Sequence, residues 1–426
     1  MSIIPDLVAI DAKVSWYKDN VQSHLIGVLC FCIPAASINW RIGFYLASAL
    51  LLFYALFYLL LNRVIRPLNK HERYFLLALV AYPAWVAVDM NWRGQWDWGD
   101  FQEVFRLLFT IPLFLFLREV RFSVNYLYWG ILLGAAGAAL WAFYQFIILD
   151  YSRTYGGTNN VISAFAIISL ILSLYSLIVA LCWWHTARVA ALLGVLACLC
   201  GLYACITSGS RGAWMVLPVL GWLAVELLGK PNLSKRLIAF GLLGGMAILT
   251  YILVPAVQQR ADIVLPAIYQ FFVNGELLDG SVGGRLELWK AAWIIFQENW
   301  LIGTGVESFY AEKNDLIAAG LVSSQVAHLT GAHNQLFESL AEMGIFGPVL
   351  VYAIYGTFIA LCWTYYQSNR NLSMAGIFLA VGFMAFGMAE GAWIRNNLGV
   401  FYAAMSAIIA AMLSWESSTN SAGTTR

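Results

Sequence analysis

VISAFAIISLILSLYSLIVALC, residues 161–182, runs for 22 residues without a charge, and its reading decides the fold. A helix of that length rises about 33 Å, enough to cross the hydrocarbon core of a bilayer, where no water is present to satisfy an open backbone. Other apolar runs lie at about 23–38, 42–61, 74–90, 104–117, 126–149, 188–206, 212–228, 237–255, 346–366, 372–391 and 397–414. The first is marginal, and the fourth is short enough to be re-entrant. With 61% hydrophobic and 11% charged residues, the chain reads as an all-α polytopic membrane protein of about 12 transmembrane helices, one integral membrane domain over 1–426. The alternating ten-residue strands of a membrane barrel are absent from the pattern.

A net charge of +1, without a basic stripe or zinc pattern, argues against nucleic acid as a partner. The seven cysteines sit in or at the ends of apolar runs and form no C-x-x-C, so they read as small hydrophobes in helix packing. The first residues, with Asp6, Asp11, Lys13 and Lys18, lack the pattern of a cleaved signal peptide and read as an amphipathic or disordered lead-in. The Ser/Thr/Gly-rich stretch 416–426 reads as a disordered tail. Placing the N-terminus inside puts Arg63, Arg66, Lys70, Arg73, Arg118, Arg121, Arg188, Lys230, Lys235, Arg236 and Arg370 on the cytoplasmic side. In a bacterial inner membrane the opposite loops would then face the periplasm.

Those opposite loops carry Arg41, Arg93, Arg106, Arg153, Arg211 and Arg395 at short connections. Guanidinium is permanently charged and grips phosphate oxygens with paired donors. Singly, each arginine is explained by snorkelling or by a partner among Asp97, Asp100, Glu103, Asp150 and Glu390; as a set they point to an anion. A long loop at 256–345 holds IVLPAIYQFF and then GGRLELWKAAWIIFQENW. In the latter, Leu286, Trp289, Trp293 and Phe296 recur at helical spacing, which predicts an amphipathic helix lying on the membrane face. Gly283 and Gly284 end the preceding loop, so Arg285 falls in its first turn, where free N–H groups add to the attraction for an anion.

Three segments carry candidate chemistry. TSGSRGAW (207–214) sets Arg211 at a turn of small residues that lets a ligand approach the backbone. Arg285 is the second. In GAHNQLFESLAEMGIFG (331–347), His333 is expected to begin a short helix, where the positive helix end favours the neutral imidazole a general base requires. The plainer reading is a histidine satisfied by backbone contacts. Asn334 and Glu338, four residues apart on one face, are candidates for orienting substrate. WDWGDFQE (96–103) gathers Asp97, Asp100 and Glu103 as a rival hard-cation site. Trp96 and Trp98 favour an interfacial segment there, so neither a metal nor a cofactor is expected.

The S-R-G-A turn, G-R-x-x-x-W at 284–289, W-L-I-G-T-G-V-x-S-F at 300–309 and H-N-x-x-x-E-x-x-x-E-x-G-x-x-G at 333–347 occur in that order. Together they resemble the O-antigen ligase and polymerase superfamily of bacterial membrane glycosyltransferases, by motif from Thr207 to Gly347 and by topology over the whole chain. The resemblance implies a GT-C-like bundle that transfers a glycan from undecaprenyl diphosphate to a sugar hydroxyl of lipid A core on the periplasmic face. Arg211 and Arg285 would stabilise the leaving diphosphate without a metal, Arg153 would add a contact, and His333 would take the acceptor proton with inversion. Many relatives carry a second histidine two residues before the H-N pair; Gly331 stands there, and His328 does not fill the position, which leaves the base role to His333 alone. An O-antigen polymerase and a protein O-oligosaccharyltransferase share the donor chemistry. A lipid-linked glycan transporter is the remaining alternative, against which stand the absence of related halves and of ionisable residues in the middle of several spans.

Overall fold

In the computed structural model the 161–182 stretch is a helix, and helices account for the regular structure of the described residues: 5–62, 66–158, 161–229, 232–253, 255–278, 281–391 and 396–423. The first half of the chain forms α1 (Pro5–Ala36), α2 (Arg41–Leu61), α3 (Lys70–Arg93), α4 (Trp98–Phe105), α5 (Thr110–Glu119), α6 (Val124–Phe143), α7 (Ile162–Trp183) and α8 (Arg188–Thr207). The second half adds α9 (Arg211–Gly229), α10 (Leu233–Leu253), α11 (Pro255–Asp262), α12 (Val264–Tyr269), α13 (Val282–Glu298), α14 (Phe309–Ala318), α15 (Gln335–Met343), α16 (Phe346–Thr364), α17 (Arg370–Gly387) and α18 (Asn396–Gly423). Among the described residues there is no strand.

Among the described residues, eight helices are long and apolar enough to span a membrane: α2, α3, α6 with its extension to Ile148, α7, α8, α16, α17 and α18. The chain is therefore a multi-pass α-helical membrane protein, with fewer clear spans than the twelve apolar runs. The first run yields only the shorter apolar segment Val21–Ala36. The fourth is broken into α4, a 3-10 turn at Arg106–Phe109, and α5. Pro112 explains the break, because it has no N–H to donate to the carbonyl four residues back. The runs at 212–228 and 237–255 form α9 and α10, some of whose side chains lie outside the described residues.

α7 and α18 are apolar on all sides and correspondingly buried: Phe165, Ile168 and Leu172 of α7, and Phe401, Ile408 and Leu413 of α18, are sealed from solvent. α2 and α8 turn Phe53, Leu60, Leu192, Leu196 and Leu199 outward, the surface expected against lipid. The backbone of α18 continues helically to Gly423, into the tail expected to be disordered from 416.

At one end of the bundle, Arg118 pairs with Glu72 at 3.3 Å and donates to the carbonyls of Arg66 and Pro67, while Arg66 pairs with Glu119 at 3.1 Å. Asn69 and Glu72 close a capping box on α3, and Arg121 donates to the Trp415 carbonyl at 2.9 Å. Several of the basic residues read as sharing one side thus meet at one end.

The long loop occupies the other end and has a core of its own. Leu288, Ala291, Ala292 and Ile295 of α13 pack with Phe309, Val326, Ala332 and Ala341. α13 is amphipathic, its Leu286, Trp289, Trp293 and Phe296 side less buried than the side turned to this core. Its buried stripe is the 288/291/292/295 face, because α14 and α15 cover it and the alanines permit close approach. Trp289 stacks on Phe337 of α15 at 5.4 Å between ring centroids, and Trp293 stays exposed. Gly283 and Gly284 lie inside the helix rather than before it. Lys313 is fully buried and donates to the carbonyls of Val326, Ala327 and Leu329, with burial pulling its pKa down. Arg93 fastens this unit to the bundle: its Nε pairs with Asp89 at 2.8 Å and its Nη2 donates to the Gly303 carbonyl at 2.9 Å. Asp89 also accepts from the Val306 N–H at 3.3 Å.

Candidate active site

Thr207 ends α8 and Arg211 begins α9, so the chain reverses through Ser208, Gly209 and Ser210. Gly209 makes the reversal at φ +63°, a left-handed conformation natural to glycine. Its carbonyl accepts from Arg260 Nη1 at 3.0 Å and Arg153 Nη2 at 3.4 Å, and the Ser208 carbonyl accepts from Arg153 Nε at 3.0 Å. One tight turn therefore presents Arg211 and holds Arg153, from the loop after α6, and Arg260, from α11, beside it.

Arg285, in the first turn of α13, joins them. The four arginines line one cavity of about 600 Å³ with Ser163, Ser210, Ser281, Phe386 and Glu390. Burial, and after it the charges of Arg260, Arg211 and Arg285, lower the Arg153 pKa; burial and Arg211 lower that of Arg260. Arg211 and Arg285, far apart in sequence, thus share one site. Nε and Nη1 of Arg211 are buried without a hydrogen-bond partner. Desolvated guanidinium donors among like charges are unfavourable unless an anion completes them. Such a lining is chemically complementary to a group with several negatively charged oxygens.

His333 lies one residue before the helix cap instead of beginning the helix. Asn334 takes the capping position, its side chain accepting from the N–H groups of Leu336 and Phe337 at 2.9 and 3.3 Å. A short side chain with a carbonyl oxygen caps better than imidazole, which displaces His333 to φ +49° in the turn before it. There His333 Nδ1 lies 3.0 Å from Glu390 Oε1, and Glu390 lines the arginine cavity. A carboxylate accepts from Nδ1–H, which leaves Nε2 as the ring's basic nitrogen.

Asn334 and Glu338 do not line the cavity. Asn334 is buried, and its Nδ2 donates to the Met388 carbonyl at 2.8 Å, tying α15 to the turn that carries Glu390. Glu338 is buried as well. Burial first, then Glu307 and Glu390, push its pKa up to about 8, opposed by the Ala332 N–H. A Cβ on Gly331 would sit 2.5 Å from Glu338 Oε1, so this carboxyl occupies the space a larger residue at 331 would need. Glu342, one turn on, is likewise buried with a raised pKa, and accepts from the N–H groups of Glu307 and Phe309.

The other described outward arginines lie apart from this cavity. Arg93 is paired with Asp89, and Arg106 is buried in the 3-10 turn. Arg395 lies outside the described residues. Asp97 caps α4 by accepting from Gly99 and Asp100. Among the described residues no three His, Cys, Asp or Glu side chains are grouped as a metal would need. Sequence reasoning missed Arg260, which has no motif around it. It treated Glu390 only as an arginine partner, since nothing local in sequence ties it to His333.

The fold and this cavity define a multi-pass membrane protein with a cationic cavity at the end of the bundle that carries the long loop. Residues 196–352 match the family model described as O-antigen ligase. The segment holding α9, the long loop and the start of α16 is thus similar to the O-antigen ligase family. That family implies ligase- or polymerase-type activity of a glycosyltransferase-like enzyme. The chain is also similar to a Haemophilus influenzae protein described as uncharacterized. They share 22% identity over 308 residues, covering 70% of this chain and 75% of that protein.

Proposed function

We propose that the protein is an O-antigen ligase of the bacterial inner membrane. In this reading it moves a glycan from undecaprenyl diphosphate to a sugar hydroxyl of lipid A core on the periplasmic face, completing lipopolysaccharide. The observation that carries the reading is the convergence of Arg153, Arg211, Arg260 and Arg285 on one cavity, with two Arg211 nitrogens buried and unpartnered.

The donor diphosphate lies among the guanidiniums. His333, its Nδ1–H held by Glu390, takes the proton of the acceptor hydroxyl on Nε2. The oxygen attacks the anomeric carbon as the bond from that carbon to the phosphate oxygen breaks. The electron pair goes to the departing undecaprenyl diphosphate, where preorganised cations meet the developing charge. In-line attack inverts the anomeric configuration. The aliphatic stems of the arginines and Phe386 furnish apolar surface beside the reacting centre.

The test is transfer by purified protein in detergent, given undecaprenyl-diphosphate glycan and lipid A core, with and without EDTA. Arg211→Ala, Arg285→Ala and His333→Ala are run in parallel. Glycan on the core in both conditions, reduced about 100-fold or more in each variant, is the expected result. A folded wild type that instead lengthens lipid-linked glycan is a polymerase, and one that does neither overturns the reading.

A further inference from the structure

We propose that a second cleft, behind the arginine cavity in the long loop, is a saccharide subsite that seats the sugar of one of the two substrates. The proposal rests on the transfer reading above. The cleft measures about 520 Å³ and is lined by Phe271, Glu276, Glu287, Lys290, Ser323 and Gln325, among others.

Its position follows from α13. Arg285 and Glu287 are two residues apart on that helix, roughly 200° around its axis, so they face opposite ways. Arg285 looks into the arginine cavity and Glu287 into the cleft. The two spaces flank the start of one helix, about 10–12 Å across with side chains, the length of about two sugar rings.

Its chemistry is the complement of the arginine cavity. Two carboxylates and one ammonium replace four guanidiniums, and a hydroxyl, an amide and an aromatic ring complete the wall. A phosphate would meet two like charges there, and an apolar ligand would strand the carboxylates away from water. A sugar fits, because each hydroxyl both donates and accepts and the ring's C–H face packs on an aromatic. Glu287 is already fixed: its Oε1 accepts from the Ser323 N–H at 2.7 Å and from Lys290 at 3.3 Å. Glu276 and Gln325 are exposed.

The cleft also sits where a lipid-tethered glycan would lie. α12 and the turn after it expose Leu265 (78%), Tyr269 (60%), Phe272 (72%) and Val273 (60%) at helical spacing, soon after α10 ends at Leu253. That apolar row belongs on the lipid surface, and Phe271 and Gly275 carry the chain from it into the cleft wall.

The experiment uses the full chain in nanodiscs and two probes without diphosphate: delipidated core oligosaccharide and a free O-antigen repeat oligosaccharide. Saturation-transfer NMR titrations are run on wild type, on Glu276→Gln with Gln325→Ala, and on Arg211→Ala. One probe is expected to bind wild type and Arg211→Ala equally, and the double variant about tenfold more weakly, as for loss of one to two hydrogen bonds. The probe that binds names the substrate seated in the cleft. No binding of either probe to wild type, or equal binding to the double variant, overturns the subsite. Transfer is measured separately on the same nanodiscs, so a wild type that binds saccharide but transfers nothing overturns the ligase reading alone.

Discussion

Arg211→Met separates a residue kept for its ligand from one kept for the fold. Arg211 Nε and Nη1 are buried with no partner, in a cavity shared with Arg153, Arg260 and Arg285. Each buried, unsatisfied donor costs about 1–3 kcal/mol, which gives roughly 2–6 kcal/mol for the pair. The side chain keeps some contact with solvent, which reduces this to about half. Methionine retains much of the stem volume and removes both the orphaned donors and one of four mutually repelling charges. The ligand-free variant should therefore be as stable as wild type or more so, by up to about 1–3 kcal/mol. Transfer should fall about 10²–10³-fold, the usual loss when one preorganised donor to a developing anion is removed. Thermal unfolding followed by tryptophan fluorescence in detergent, with and without inorganic pyrophosphate, reads the first effect, and initial transfer rates read the second. Pyrophosphate should stabilise wild type more than the variant, by linkage to a site that binds only the folded chain. A variant that is less stable than wild type and transfers at the wild-type rate would refute the reasoning.

Gly209→Ala must hold a left-handed φ of +63° although its Cβ, 3.4 Å from Arg260 Cζ, finds room; thermal unfolding should show a loss of about 1–2 kcal/mol, and transfer should fall as the strained turn re-aims the carbonyls that hold Arg153 and Arg260. Glu390→Gln should lower kcat about 10²-fold with the donor KM little changed, since it removes the carboxylate facing His333 Nδ1 and leaves the arginines in place; steady-state kinetics against donor concentration decide it. Burial raises the Glu338 pKa from 4.5 to about 8, so the unfolded chain gives up this proton first. Its stabilising effect is full below about pH 4.5 and declines as pH rises to about 8. Chemical unfolding across that range should show the decline in wild type, and a shallower one in Glu338→Gln.

The helical membrane fold was legible because an apolar run of span length has one solution in lipid, and α7 and α18 needed no more than that. The count of spans was not. Pro112 breaks the fourth run through hydrogen bonding that a hydropathy reading does not weigh, and the first run is apolar over only part of α1. Arg211, Arg285 and Arg153 were legible as arginines on the side where few charges are expected, beside glycines that allow close approach. Arg260 carried no such mark, and its place is set by a tertiary bond to the Gly209 carbonyl. Where Asn334 and Glu338 turn was not legible: a four-residue spacing says two side chains share a face without saying whether that face is wet. Here Asn334 spends both ends of its side chain on backbone groups, and Glu338 turns toward Gly331 and the 303–309 loop.

Four arginines in one cavity repel each other, so something in the fold must hold them together before any diphosphate arrives. The hydrogen bonds at Gly209 and Ser208 show what does: carbonyl oxygens, with partial negative charge and no proton to lose, clasp Arg153 and Arg260 from behind and leave Arg211 facing the cavity. Carboxylates in that role would neutralise the cations and compete with the diphosphate. The carboxylate at the cavity edge, Glu390, lies instead against His333, where it holds the ring through Nδ1. In the proposed reaction, positive charge for the leaving group and negative charge beside the base are thereby kept on separate walls. The walls come from different parts of the chain: Arg285 rides on the loop unit that Arg93, Asp89 and Gly303 fasten to the bundle, while Glu390 follows α17. Cutting the fastening, as in Arg93→Ala, should then weaken transfer through Arg285 and His333 while leaving the clasp on Arg153 and Arg260 intact. Residual diphosphate binding with lost transfer is the expected signature, and loss of both together would place the fastening inside the anion site itself.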